Sequence, residues 1–346
     1  MPMHKYHPLR IFAVSGLLTI LLGGVVALYG GLDGLWLYVI LVLLEITFSF
    51  DNAVVNSKIL MKLSPMWQSL FLTVGIFIAV FVVRFLLPVL IVMSSAGLGG
   101  GEVVDLALNH PVEYGHKLHE AAPLIDAFGG TFLLMIGLAY FVDREKDVHW
   151  LPAVERWLSR AGRVRFLKLI VMLIVALVLY LTVAPELRDA VVAASLLGIA
   201  LHVGLESLSV LFNGHNNHAV KTKQYTGMAA FMTFMYLQVL DASFSFDGVV
   251  GAFAITSSVF LIMAGLGAGA LWVRSLTVYM VRRGTLAKYR YLEHGAHWAI
   301  LALGMVMLAK LYYVEPPDWL TGSLGLIFIV TAVVTSILEK RQAKVR

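Results

Sequence analysis

The chain contains no cysteine. That excludes disulfides, thiolate metal ligands and thiol catalysis, and with them a pump that carries soft metals on sulfur. Charge is scarce as well: 14% of the 346 residues are Asp, Glu, Lys or Arg, against 60% hydrophobic, and the mean hydropathy is +0.85. The basic residues sit in short segments between apolar runs, so the pI near 9.3 does not point to nucleic acid; no basic domain exists to carry it. GLGGG at 97–101 lacks a Walker lysine and no soluble domain follows it, so ATP is not the energy source within this chain. HEAAP at 119–123 opens like a zincin motif but has Pro123 where the second histidine belongs, which argues against a metalloprotease. The chain reads as a protein that is not an enzyme.

What is present is a series of apolar stretches near the length a helix needs to cross a hydrocarbon core of about 30 Å. The pattern predicts an all-α polytopic membrane protein of about ten transmembrane helices, at 10–29, 35–57, 67–93, 124–142, 166–184, 189–212, 228–254, 257–281, 294–313 and 319–338. The first run is longer than a signal-peptide core and is followed by no convincing small-x-small cleavage site, so it is read as a helix. With the N-terminus inside, 21 of the 26 Lys and Arg residues fall on the cytoplasmic side. Both termini are therefore expected in the cytoplasm, in a bacterial inner or plasma membrane. The segment 143–168 alternates Trp150, Leu151, Val154, Trp157, Leu158 and Ala161 with Arg156, Arg160 and Arg163, the pattern of a helix lying on the membrane surface.

Eight residues occur twice. EITFSFDN at 45–52 returns as DASFSFDG at 241–248, with two acids, a hydroxyl residue and Phe-Ser-Phe at the same spacing. Glu45, Asp51, Asp241 and Asp247 thus fall inside apolar runs, where each acid costs roughly 2.5–3.5 kcal/mol unless a partner compensates it. A bound cation is the natural partner. SLFLTVG at 69–75 resembles SVFLIMAG at 258–265, and Arg84 and Arg274 each follow the glycine of that segment by nine residues. Two three-span repeats, 35–142 and 228–313, are expected within one transmembrane domain. Their acid-bearing helices are five crossings apart, which inverts one repeat relative to the other, as in secondary transporters.

Six residues separate the two acids of each motif, so in an unbroken helix they would point about 120° apart. A shared ion requires a break between them, and the hydroxyls of Thr47, Ser49, Ser243 and Ser245 are fitting partners there. At these residues the chain resembles the TerC-like family of integral membrane proteins, in a longer branch of that family. One family repeat reads acid-x5-Asp-Asn and the other Asp-x5-Asp-Ser, the final serine being Gly248 here. The resemblance implies divalent cation transport, chiefly manganese efflux, with Glu45, Asp51, Asn52, Asp241 and Asp247 as metal positions.

Carboxylates, carbonyls and hydroxyls without thiolates suit Mn²⁺, Mg²⁺ or Ca²⁺ as the transported ion. The preference for manganese rests on the resemblance. Arg84 and Arg274 could balance the acids in the empty site. His202 with Glu206, and His294 with His297, could act as accessory ligands or proton relays, or form interhelical hydrogen bonds. An outer loop from Ser94 to Pro123 brings Glu113, His116, His119 and Glu120 as groups that could receive or release metal. The expected partners are the metal ion and the lipid bilayer, with a homo-oligomer left open. The alternative to transport is a membrane metal sensor or scaffold whose acids hold a structural Ca²⁺ or Mg²⁺.

Overall fold

The computed structural model describes residues 8–164, 166–213, 224–314 and 317–345. It is all-α; among the described residues the only extended pairing is an isolated bridge between Leu63 and Tyr225. Among the described residues eight helices are long and apolar enough to cross a membrane, so the chain is an integral, polytopic membrane protein. The chain divides into two compact units, residues 1–122 with 218–284, and 123–217 with 285–346.

The first unit begins with α1 (Pro8–Phe48), whose residues 8–30 and 32–48 are separate helical arms meeting at Gly31, φ +63°. The Tyr38 hydroxyl donates to the Thr19 carbonyl at 2.9 Å. In a continuous helix those residues would stand about 28 Å apart, so the arms form a hairpin and correspond to the first two expected crossings. A left-handed backbone of that kind is open to glycine at little cost. There follow α2 (Phe50–Leu60), α3 (Pro65–Leu72), α4 (Val74–Phe77), a π-helical segment (Ile78–Leu86), α5 (Leu87–Ala96), α6 (Gly100–Asn109) and the start of α7 (Pro111–Phe141). The expected outer loop from Ser94 to Pro123 is therefore largely helical, with Pro123 inside α7. α11 (Gly227–Ile255) and α12 (Val259–Arg283) complete the unit.

α12 is the axis of this unit because its glycines allow close approach. A Cβ at Gly265 would stand 2.5 Å from Leu41 Cβ, and one at Gly269 would stand 2.5 Å from Glu45 Cβ. The two glycines, four residues apart, are a small-xxx-small seam against the second arm of α1. Ser15 Oγ donates to the Leu271 carbonyl, Trp272 Nε1 donates to Thr19 Oγ1, and both fasten the first arm to the same helix. α12 starts at Ser258, whose hydroxyl accepts from the Leu261 amide, and stops at Gly284, φ +60°.

The second unit holds the rest of α7, α8 (Pro152–Ala161), α9 (Leu167–Thr182), α10 (Arg188–Asn213), α13 (Thr285–Lys288), α14 (Leu292–Lys310) and α15 (Asp318–Val345). Its core joins Met135, Phe141, Met172, Leu179, Val191 and Leu301. α9 has 16 residues, about 24 Å of rise, the shortest of the expected crossings. α8 forms where the amphipathic segment was expected, with Trp157 and Val154 exposed and Glu155 wholly buried. Outward-facing residues such as Leu28, Leu32 and Leu181 are what hydrocarbon rather than water would cover.

Candidate functional site

The two acid motifs come together inside the first unit. α1 ends at Phe48 and α2 begins at Phe50, leaving Ser49 outside helical geometry at φ −101°, ψ 15°. This is the break the six-residue spacing called for, and it lies between Glu45 and Asp51. In the second copy α11 runs unbroken from Gly227 to Ile255, so the matching irregularity at 243–246 does not occur. The copies approach closely: a Cβ at Gly248 would lie 3.6 Å from Glu45 Oε2.

The first acid of each motif is ion-paired with the arginine of its own repeat. Arg84 Nη2 donates to Glu45 Oε1, which also accepts from the Ser49 hydroxyl at 2.9 Å. Arg84 reaches this position from the π-helical segment, whose widened turn also places its Nη1 2.8 Å from the Ala79 carbonyl. Arg274 Nη2 pairs with Asp241 Oδ2 at 2.8 Å and contacts Gln238 Oε1 at 3.2 Å; its Nη1 donates to the Phe71 carbonyl at 3.0 Å. Its guanidinium also lies over the Phe71 ring, 4.3 Å from the centroid. Gly75 makes room for it, since a Cβ there would come 2.6 Å from Arg274 Nη1. Glu45 and Asp241 are near enough to repel each other, and Arg84 and Arg274 likewise. The four groups therefore form one neutralised cluster, all of them buried.

Asp51 is different. It is buried, and among the described residues no cation faces it; its Oδ1 accepts the Asn52 amide at 2.9 Å in the first turn of α2. On the same helix the side-chain oxygens of Asn52 and Asn56 are buried without a hydrogen-bond partner, as is the hydroxyl of Ser245 on α11. Unpaired buried oxygens are costly unless something donates to them or binds them. Asn56 was not among the expected site residues; the signal was its position four after Asn52 on an apolar helix, which puts both amides on one face. Thr47 and Ser243 correct the expectation for the hydroxyls: Thr47 is exposed and bonds the Leu43 carbonyl, and Ser243 bonds the Val239 carbonyl. Each satisfies its own helix instead of the site. The side chain of Asp247 lies outside the described ones.

Among the described residues no three His, Asp or Glu side chains stand together as a metal cage. Glu45 and Asp241 thus belong to the ion-paired cluster with Arg84 and Arg274, and Asp51, six residues after Glu45, stands outside those pairs. The expected accessory pairs belong to the second unit. His202 is buried edge-on to Phe132 with neither ring nitrogen bonded, while Glu206 pairs with Lys168 at 2.5 Å, so no hydrogen bond joins the two. His294 Nε2 lies 2.8 Å from the Val148 carbonyl and 3.5 Å from Glu155, and His297 stacks on Tyr140 at 3.8 Å. His294 joins α14 to the segment before α8, whereas the His297 Nδ1 bonds the Glu293 carbonyl of its own helix and its ring packs on Tyr140 of α7. In the expected metal-receiving segment, Glu120 pairs with Lys117 at 3.1 Å on the surface of α7.

Fold and site together define a class: an all-α polytopic membrane protein with a carboxylate–guanidinium cluster buried within a helical unit. The chain belongs to the family described as protein of unknown function (DUF475), whose model matches residues 50–343. That range includes Asp51, Asn52, both arginines and the whole second motif, and it begins after Glu45 and Ser49. No curated protein and no solved structure matches the chain.

Proposed function

We propose that the protein is a secondary transporter of divalent metal cations, with Mn²⁺ efflux as the first choice of substrate and direction. The observation that carries this reading is Asp51: a buried acid without a cationic partner, just after a helix break, on a helix whose Asn52 and Asn56 oxygens are also unpartnered. Such a set suits a hard cation, and the resemblance of the paired motifs to the TerC-like family favours manganese among Mn²⁺, Mg²⁺ and Ca²⁺. Arg84 and Arg274 would hold Glu45 and Asp241 when no metal is present and yield them when it arrives, so that these acids and Asp247 join the coordination. The opposite hand of the two repeats, with both termini in the cytoplasm, would supply alternating access.

The same ion pairs support a second reading, in which the cluster is structural and the protein is a metal sensor or scaffold. Flux separates the two. Purified protein in proteoliposomes loaded with a metal-sensitive dye is expected to move Mn²⁺ down its gradient, faster than protein-free vesicles. Binding without flux would overturn transport and leave the sensor or scaffold.

A further inference from the structure

A cavity of about 260 Å³ opens at the C-terminal end of α15, lined by Lys288, Tyr289, Ser336, Ile337, Lys340 and Arg341. Three cations face it, and no acid is among its lining residues. The neighbouring Glu339 is engaged by Arg290 at 2.7 Å. Among the described residues, Lys340 and Arg341 have no acidic partner, and Lys288 makes a ring contact with Tyr289, 5.1 Å from the centroid.

The cavity sits where an apolar stripe ends. Ile327, Val330, Val334 and Ile337 are exposed along α15 at spacings of three and four, one face of the helix. Lys340 and Arg341 continue that face three and four residues after Ile337. The helix thus offers an unpaired cationic pocket at its polar end and an uncovered hydrocarbon-facing stripe leading into it. A small anion would use the pocket alone; a molecule with a phosphate head and acyl tails would use both.

We infer that this cavity is a binding site for the phosphate headgroup of an anionic phospholipid, whose acyl chains lie along the α15 stripe. Lys340 and Arg341 hold the phosphate at the membrane–water boundary, and Lys288 closes the pocket from α13. The inference is independent of the transport reading.

The test uses the full chain in nanodiscs of phosphatidylcholine containing a minor fraction of phosphatidylglycerol, with bound lipid counted by native mass spectrometry. Wild-type protein should retain phosphatidylglycerol in preference to phosphatidylcholine. Combined Lys288→Gln, Lys340→Gln and Arg341→Gln should lower that preference about tenfold or more, since each basic residue near a charged surface is worth a several-fold effect. Lys340→Glu alone should act in the same direction, and all three positions are exposed ones whose replacement leaves the fold intact. Arg156→Gln with Arg160→Gln on α8, which removes basic charge elsewhere, should leave it unchanged. Absence of preference in the wild type, an unchanged preference in the combined variant, or loss on the α8 substitutions alone would overturn the site. Full displacement of the lipid by inorganic phosphate would overturn the lipid assignment and make the cavity a small-anion site.

Discussion

Asp51 differs from Glu45 and Asp241 in lacking a guanidinium, and that difference sets what its replacement should do. Asp51→Asn keeps volume and removes the one described motif acid without a guanidinium partner, so under the proposed function divalent-cation binding and transport should be lost while the protein stays monodisperse in detergent. Isothermal titration with Mn²⁺ and size-exclusion chromatography read the two outcomes; wild-type binding would remove Asp51 from the site. Two glycines of the same cluster should behave oppositely. Gly269→Ala places a methyl 2.5 Å from Glu45 Cβ and 3.0 Å from the Val42 carbonyl, neither of which is a flexible chain end. It should cost about 1–3 kcal/mol and lower the thermal midpoint in detergent. Gly248→Ser meets only Glu45 Oε2 at 3.6 Å, an ordinary contact, and should leave the midpoint within the shift of about 0.5 kcal/mol typical of tolerated sites.

At the scale of elements, α8 is held by one buried carboxylate. Glu155 accepts from Lys146 at 3.0 Å, from the Trp150 and Leu151 amides at 3.1 and 3.2 Å, and from Trp298 Nε1 at 3.2 Å, with His149 and His294 facing it. Burial pushes the Glu155 carboxyl up, but the Lys146 hydrogen bond, the facing charges of His294 and Lys146 and the backbone amide together hold it below the usual carboxylate range. Lys146 is itself pushed down by burial; the four donors converging on Glu155 favour the ionised carboxylate. Because the folded-state pKa is the lower one, the unfolded chain takes up the proton first as the medium is acidified. The stabilisation is therefore complete above the ordinary carboxylate pKa and disappears as pH falls through the lower, folded-state value. Amide protection across 146–161, taken relative to the intrinsic exchange rate at each pH, should fall on acidification through that range, ahead of the helices of the core. Glu155→Ala should give the lowered protection already at neutral pH, with a loss on the order of 3 kcal/mol. Exchange insensitive to both would mean that the apolar face of α8 holds it without the carboxylate.

For the whole molecule, the proposed transport would set metal and protons in competition for the same carboxylate oxygens, which would link the two equilibria. Mn²⁺ affinity should weaken as pH falls from about 8.5 to about 5.5, and binding in weak buffer should release protons that a dye reports; an opposing proton gradient would then drive efflux. Arg84 and Arg274 act against this linkage by already holding Glu45 and Asp241 in ion pairs. Affinity flat across that range, with no proton release, would eliminate proton exchange and leave facilitated movement or another counter-ion.

Composition alone determined that this chain is an all-α membrane protein, because hydrocarbon leaves the backbone no partner but its own helix and each crossing must announce itself as an apolar run. The doubled motif made the acids and arginines legible for a related reason: charge at such positions is too costly to be incidental. The six-residue spacing called for a break in both copies, and only the one at Ser49 occurs. Which oxygens remain free was a different matter. A hydroxyl on an apolar helix can turn to its own backbone, as Thr47 and Ser243 do, or toward the site, as Ser49 does, and the sequence is the same in either case. That Arg84 and Arg274 balance the acids was expected, but nothing local reveals which acid each takes, or that Lys168 takes Glu206. Those outcomes depend on partners 33 to 39 residues away in the chain. Only the packing of α12 glycines against α1 in the first unit, and of α9 against α10 in the second, brings those partners within reach.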